Sequence, residues 1–186
     1  VVHGNDWQCG LLPYFLAHGV QGQPRPKPEP FVFTLHNIAY QGIFPGNEYA
    51  QTHLPFHCFS VDHLEYYGQI NCLKGGITSA KAITTVSPTH AREIRTREGA
   101  YGLEGVLGDC AGRLTGILNG IDTRVWDPGH DEHIARTYQA SDRAGKGICR
   151  EAFLSAQKLK VATSTTLISM ITRLVDQKGM DLLAAC

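Results

Sequence analysis

Apolar and polar positions fall in blocks along this chain: short apolar runs rich in β-branched residues stop abruptly at polar loops. The clearest run is Phe31 to Leu35, which ends at His36–Asn37 and opens into a loop carrying Tyr40, Gln41 and Gly42. The same design recurs four times. Val1–Val2 run into His3–Gly4–Asn5–Asp6–Trp7, and Ala82 to Val86 into Ser87–Pro88–Thr89. Arg113 to Leu118 run into Asn119–Gly120–Ile121–Asp122, and Thr165 to Ile171 into Thr172–Arg173, with Lys178–Gly179 close behind. Between these strand patterns lie helical ones. Tyr66, Ile70, Leu73, Ile77 and Ala80 repeat at three-to-four spacing, which predicts a helix despite the unfavourable Gly75–Gly76 pair. Pro88 to Glu98 reads as a helix with Ser87 as N-cap and proline at its first position.

Strands alternating with helices predict an α/β fold, a Rossmann-like parallel sheet flanked by helices. In such sheets, ligands sit in the crevice at the carboxyl ends of the strands. A strand that ends on an imidazole, an amide and a glycine-containing loop therefore delivers polar groups to the place where small molecules are held.

Composition narrows the function. With 42% hydrophobic and 18% charged residues, the chain can pack a core and is too polar for a membrane protein. No apolar run approaches the roughly 20 residues that span a bilayer. Lys plus Arg and Asp plus Glu number 17 each, so there is no basic footprint for nucleic acid. The six cysteines include no Cys-x-x-Cys pair, which favours reduced, mostly buried thiols. Gln21 to Pro30, with four prolines, reads as an extended surface loop. His53 and His57 are separated by Pro55, and His130 and His133 lie in a polar stretch, so no zinc-spaced ligand set is evident and no metal is expected.

Six ordered segments carry a resemblance: HGNDWQCGLLP (3–13), FTLHNIAYQGIF (33–44), INCLKGGITSAKAITTVSPTHAREIRT (70–96), YGLEGVL (101–107), GILNGIDTRVWDP (116–128) and ITRLVDQKGMDLL (171–183). Together they resemble the bacterial glycogen synthase and plant starch synthase family, which transfers glucose from ADP-glucose to an α-1,4-glucan. The resemblance implies an internal segment of a two-domain GT-B glycosyltransferase. Residues 1–128 would be the later half of the N-terminal, acceptor-side domain, 129–164 a connecting segment, and 165–186 the start of the C-terminal nucleotide-sugar-binding domain. It also implies that these residues alone do not synthesise glucan. The setting would be cytoplasmic in a bacterium, or a plastid in a plant or alga.

The resemblance implies roles as well. Arg173 and Lys178 match the pair that contacts the ADP phosphates, where fixed cations stabilise charge building on the leaving diphosphate. His36 matches a histidine beside the donor glucose. Asp6 and Trp7 match residues lining the acceptor side, a carboxylate for sugar hydroxyls and a ring for sugar C–H faces. The alternative for this pair is a tryptophan opening a helix with Asp6 as N-cap. Asn37 accompanies His36, and Tyr40, Gln41 and Gly42 shape the acceptor groove. Asn119 lies near the donor, and Gly120 tolerates left-handed backbone geometry. The expected partners are ADP-glucose and glycogen, starch or maltooligosaccharides, with no cofactor. The chain departs from the family pattern at Asn5 and Gln8, where that pattern has histidines.

Three rivals stand beside this reading. Another retaining GT-B transferase, such as a sucrose synthase or a mannosyltransferase, would share a late Arg-x-x-x-x-Lys pair but not the segments at 36–42 and 116–128. A nonenzymatic glucan-binding module would need Asp6 and Trp7 but not Arg173 and Lys178. A nicotinamide dehydrogenase would need a Gly-x-Gly-x-x-Gly after a strand, and none is present.

Overall fold

A computed structural model describes residues 1–19, 27 and 29–185. Most of the proline-rich stretch from Gln21 to Pro30, and Cys186, lie outside the described residues. The chain forms two compact units, residues 1–120 and residues 121–186.

The first unit is built on a parallel sheet of four strands: β1 (Val2–Asn5), β2 (Phe31–Leu35), β6 (Ala82–Thr85) and β7 (Leu114–Gly116), in the order β1-β2-β6-β7. A second, antiparallel sheet holds β3 (Ile43–Pro45), β5 (Gln69–Asn71) and β4 (Glu65–Tyr66). The helices are α1 (Leu12–His18), α2 (Cys72–Ser79), α3 (Pro88–Glu93) and α4 (Glu104–Asp109). Period-two alternation sets the core: Phe31, Phe33 and Leu35 of β2 and Ile83 of β6 are buried with Leu73 and Ile77 of α2 and Leu103 and Leu107 around α4. Each such side chain is worth roughly 1.5–3 kcal/mol in apolar burial. A second cluster gathers Tyr14, Tyr49, Leu54, Cys58, Leu64, Ile70 and Cys72.

Four expectations are corrected. The first strand continues through His3, Gly4 and Asn5, because each pairs in register with Val32, Phe33 and Thr34 of β2. Tyr66 and Ile70 are not helical. They sit opposite one another's neighbours in the β4–β5 hairpin, and the helix starts only at Cys72, with the Asn71 side chain accepting from the Lys74 N–H at 2.9 Å. The helix after Ser87 ends at Glu93 rather than Glu98, although Ser87 caps it as expected, accepting from the His90 N–H at 2.9 Å. The apolar run Thr165 to Ile171 is not a strand. Its residues are exposed, and the Thr165 carbonyl accepts from the Arg150 guanidinium at 2.5 Å instead of from a neighbouring strand.

Gly75 and Gly76 are required by packing. A Cβ on Gly75 would lie 2.4 Å from Leu64 Cδ2, and one on Gly76 would lie 2.4 Å from Phe33 Cε1. The pair lets α2 lie close against the sheet and the second cluster, and that contact offsets its poor helix propensity.

The second unit contains α5 (Ala144–Ala156) and α6 (Met180–Ala184). The helix α5 lies within residues 129–164, the expected connecting segment. Its two glycines, Gly145 and Gly147, obscure the helical pattern.

Candidate functional site

The site is assembled where β1 and β2 end side by side. Asp6 follows β1 directly and adopts φ 54°, an unusual backbone conformation for a residue with a Cβ. That turn aims its carboxylate across to the end of β2, where Oδ1 accepts from the His36 N–H at 2.7 Å and the Asn37 N–H at 3.4 Å. Asp6 is therefore not the N-cap of the following turn, Trp7–Cys9, to which it makes no side-chain cap bond. It is a clamp that fixes where the His36 loop leaves the sheet.

His36 is exposed, and its Nε2 lies 2.9 Å from Asn5 Oδ1. As oriented, the amide oxygen accepts from Nε2–H, which leaves Nδ1 as the ring's acceptor in the neutral form. Asn5 thus holds one tautomer of His36. The Asn37 side chain turns back on its own loop and accepts from the Ala39 N–H at 3.1 Å.

The loop then runs over Trp7. Gly42, at φ 60°, passes so close to the indole that a Cβ there would lie 2.3 Å from Trp7 Cε3. Gln41 is buried, and both ends of its amide are used. Its Nε2 donates to the Tyr101 carbonyl at 2.9 Å, and its Oε1 accepts from Asn71 Nδ2 at 2.7 Å. The Gln41 and Gly42 carbonyls accept from the Leu73 and Cys72 N–H groups at 2.9 and 3.1 Å, satisfying orphan donors at the start of α2. Helix, loop and sheet end are tied into one piece.

Beside the loop lies a shallow depression of about 580 Å³, walled by Trp7, Tyr40, Gly42, Phe44, Tyr66 and Tyr101. Trp7 and Phe44 have ring centroids 5.9 Å apart, while Tyr40 and Tyr101 are exposed. Aromatic walls of this kind suit the apolar faces of sugar rings. Sequence pattern alone singles out no binding role for Phe44, Tyr66 or Tyr101. The available signal was local: Tyr101–Gly102 is a pair of positive-φ residues, at 51° and 88°, that turns the Tyr101 ring outward at the depression's edge.

Asp6, Trp7, His36, Asn37, Tyr40, Gln41 and Gly42 are thus gathered at one end of the sheet. Asn119 and Gly120 are not among them. They are exposed residues beyond β7, which β6 separates from β2, and Gly120 does not use the left-handed geometry it tolerates. Arg173 and Lys178 belong to the second unit, and both are exposed. Arg173 does not close a strand. Lys178 ends a single helical turn, Asp176–Lys178, followed by Gly179 at φ 66° and then α6. No carboxylate–imidazole cluster with metal-ligand spacing surrounds His36 among the described residues; the group with such spacing is His18, His57 and Cys58.

Comparison with known proteins follows the same line. A family model described as the starch synthase catalytic domain matches residues 1–109. The chain is 46% identical over 183 residues to a glycogen synthase of Thioalkalivibrio sulfidiphilus, covering 98% of this chain and 37% of that protein. A glycogen synthase of Rhodopseudomonas palustris is 48% identical over 183 residues, again covering 98% of this chain and 37% of the relative. Among solved structures, the catalytic domain of starch synthase IV from Arabidopsis thaliana, bound to ADP and acarbose, matches with a TM-score of 0.84 and 32% identity. That match covers 98% of this chain and 38% of the other. The chain spans somewhat more than a third of the length of these relatives.

Proposed function

The chain belongs to the starch synthase catalytic domain family, and on that premise we propose that it is part of a retaining glycosyltransferase. The enzyme would elongate an α-1,4-glucan by moving glucose from ADP-glucose to the non-reducing end of glycogen, starch or a maltooligosaccharide. The observation that carries this reading is the overlap of nearly the whole chain with a catalytic domain bound to ADP and acarbose.

In this reading the residues have different tasks. Arg173 and Lys178 meet the diphosphate, the guanidinium as a planar fork and the ammonium as a point charge, and stabilise the charge that develops as the anomeric bond breaks. His36, held in one tautomer by Asn5, offers an acceptor to the donor sugar as positive charge builds at its anomeric centre. Asp6 positions His36 and Asn37 through their backbone N–H groups. Trp7, Tyr40 and the aromatic depression receive the glucan, and Asn119 and Gly120 lie toward the donor. No cofactor or metal takes part in the transfer.

The domain assignment belongs to the same proposal: 1–128 in the acceptor-side domain, 129–164 as connection, and 165–186 opening the nucleotide-sugar domain of a GT-B enzyme. So does a cytoplasmic or plastid setting. Among the described residues, no helix is long and apolar enough to cross a membrane.

The test is transfer of labelled glucose to glycogen by the full-length protein, with ADP-glucose and UDP-glucose as alternative donors. Incorporation from ADP-glucose supports the proposal. Glycogen binding without incorporation from either donor would favour the binding module instead.

A further inference from the structure

A second constellation lies at the other end of the parallel strands. The end of α1 and the helical turn Phe56–Cys58 line a pocket of about 600 Å³, together with Pro30, Phe31 and Lys81 at the amino ends of β2 and β6. His18 is the last residue of α1, and its ring centroid lies 5.0 Å from that of His57, with the two planes at 71°. A ring nitrogen of each histidine and the Cys58 sulfur all lie within 4.8 Å of one another.

We propose that His18, His57 and Cys58 form a binding site for a transition-metal ion, with Zn²⁺ the best fit, that links the end of α1 to the Phe56–Cys58 turn. Two imidazoles and a thiolate are borderline-to-soft donors, which suit zinc and its neighbours and not magnesium or calcium. Zinc bonds of about 2.0–2.3 Å place tetrahedral donors roughly 3.3–3.8 Å apart. Closing from the observed spacing therefore takes a shift of about 1 Å, by the geometry of that ion. The burial pattern permits it. Cys58 is 1% exposed and anchored in the cluster with Tyr49 and Leu54, so it is the fixed point. His18 and His57 are exposed, so neither ring is locked in the core.

The pocket also supplies a direction for the fourth ligand. His63 lines it, and its Nδ1 is buried with no hydrogen-bond partner. A water held by that nitrogen completes the shell. The site is separate from the His36 end of the sheet, so it acts on the fold: it fixes the helix end to the second apolar cluster without entering the transfer chemistry.

Titration of the metal-stripped protein with Co²⁺, and then with Zn²⁺, tests the assignment. One equivalent of Co²⁺ should give a thiolate-to-metal charge-transfer band that Zn²⁺ displaces, and Zn²⁺ should raise the melting temperature. His18→Ala and His57→Ala, both surface changes that leave the core intact, should each weaken Zn²⁺ binding about tenfold or more. Cys58→Ala should abolish the band while the other five cysteines remain. Zinc affinity unchanged in both histidine variants, or cobalt bound with no thiolate band, would overturn the proposal, whether or not Cys58→Ala folds.

Discussion

Residues 1–120 and residues 121–185 use the same kind of sequence and arrive at different structures. In the first unit an apolar run such as Phe31–Leu35 finds parallel neighbours on both sides, in β1 and β6, and disappears into a core. In the second, the β-branched and apolar run Thr165–Ile171 finds no strand beside it, and Ile168 and Ile171 stay open to solvent. Among the described residues of 121–185, Gly145 is the one that is buried. The contrast shows that a strand pattern is a request for partners: backbone N–H and C=O groups form a strand only where another strand answers them.

Hydrogen exchange should give the largest separation between the two. Amides of β2 and β6 should exchange through global opening, and those of 165–171 through almost none, a difference of roughly a thousandfold or more in protection. Equal protection in the isolated chain would mean that the second unit has a core of its own.

The two units should also differ in what their polar residues do. Arg173→Ala and Lys178→Ala remove exposed cations, so melting temperature should hold while turnover of the full-length enzyme falls about a hundredfold or more, the loss typical of one preorganised electrostatic contact. Asp6→Ala should do the reverse in part. It strips the acceptor from the His36 and Asn37 N–H groups and should destabilise the first unit by about 1–3 kcal/mol in a denaturant melt, whereas Asp6→Asn, which keeps an acceptor oxygen, should lose less.

The smallest effect is the sharpest comparison, because the same substitution should change sign. Gly76→Ala drives a methyl into Phe33 and should destabilise by about 1–3 kcal/mol. Gly147→Ala, in α5 with nothing within 4 Å of the added carbon, should stabilise its helix by up to about 1 kcal/mol. Circular-dichroism melts of the two variants read both.

What was legible in the sequence followed the same division. The strand at 31–35, the Ser87–Pro88 helix start and the gathering of Asp6, Trp7 and His36 at one sheet end were readable because local pattern and tertiary partners agree there. The helical period through Tyr66 and Ile70 misled, because a hairpin with Tyr67 and Gly68 at positive φ interrupts it. Three-to-four spacing cannot register such a turn. Gln41 drew attention as a polar loop residue, but its amide is spent on Asn71 and Tyr101, partners distant in the chain. Distance in sequence also hid His18 from His57 and Cys58, since ligand spacing motifs detect only neighbours along the chain. The Asp6 clamp was invisible for a further reason: the same Asp-Trp pair reads equally well as a helix cap, and the two separate only in the fold, where the carboxylate accepts from the His36 and Asn37 N–H groups and not from its own turn.

On the proposed function, the paired ends of β1 and β2 present His36 to the donor sugar. Single-turnover glucose transfer by the full-length protein, with glucan affinity measured in parallel by calorimetry, addresses it directly. His36→Ala should slow the chemical step strongly and leave maltooligosaccharide affinity near that of the unaltered protein, while Trp7→Ala should weaken that affinity. A His36→Ala enzyme that transfers glucose at the unaltered rate would contradict the claim.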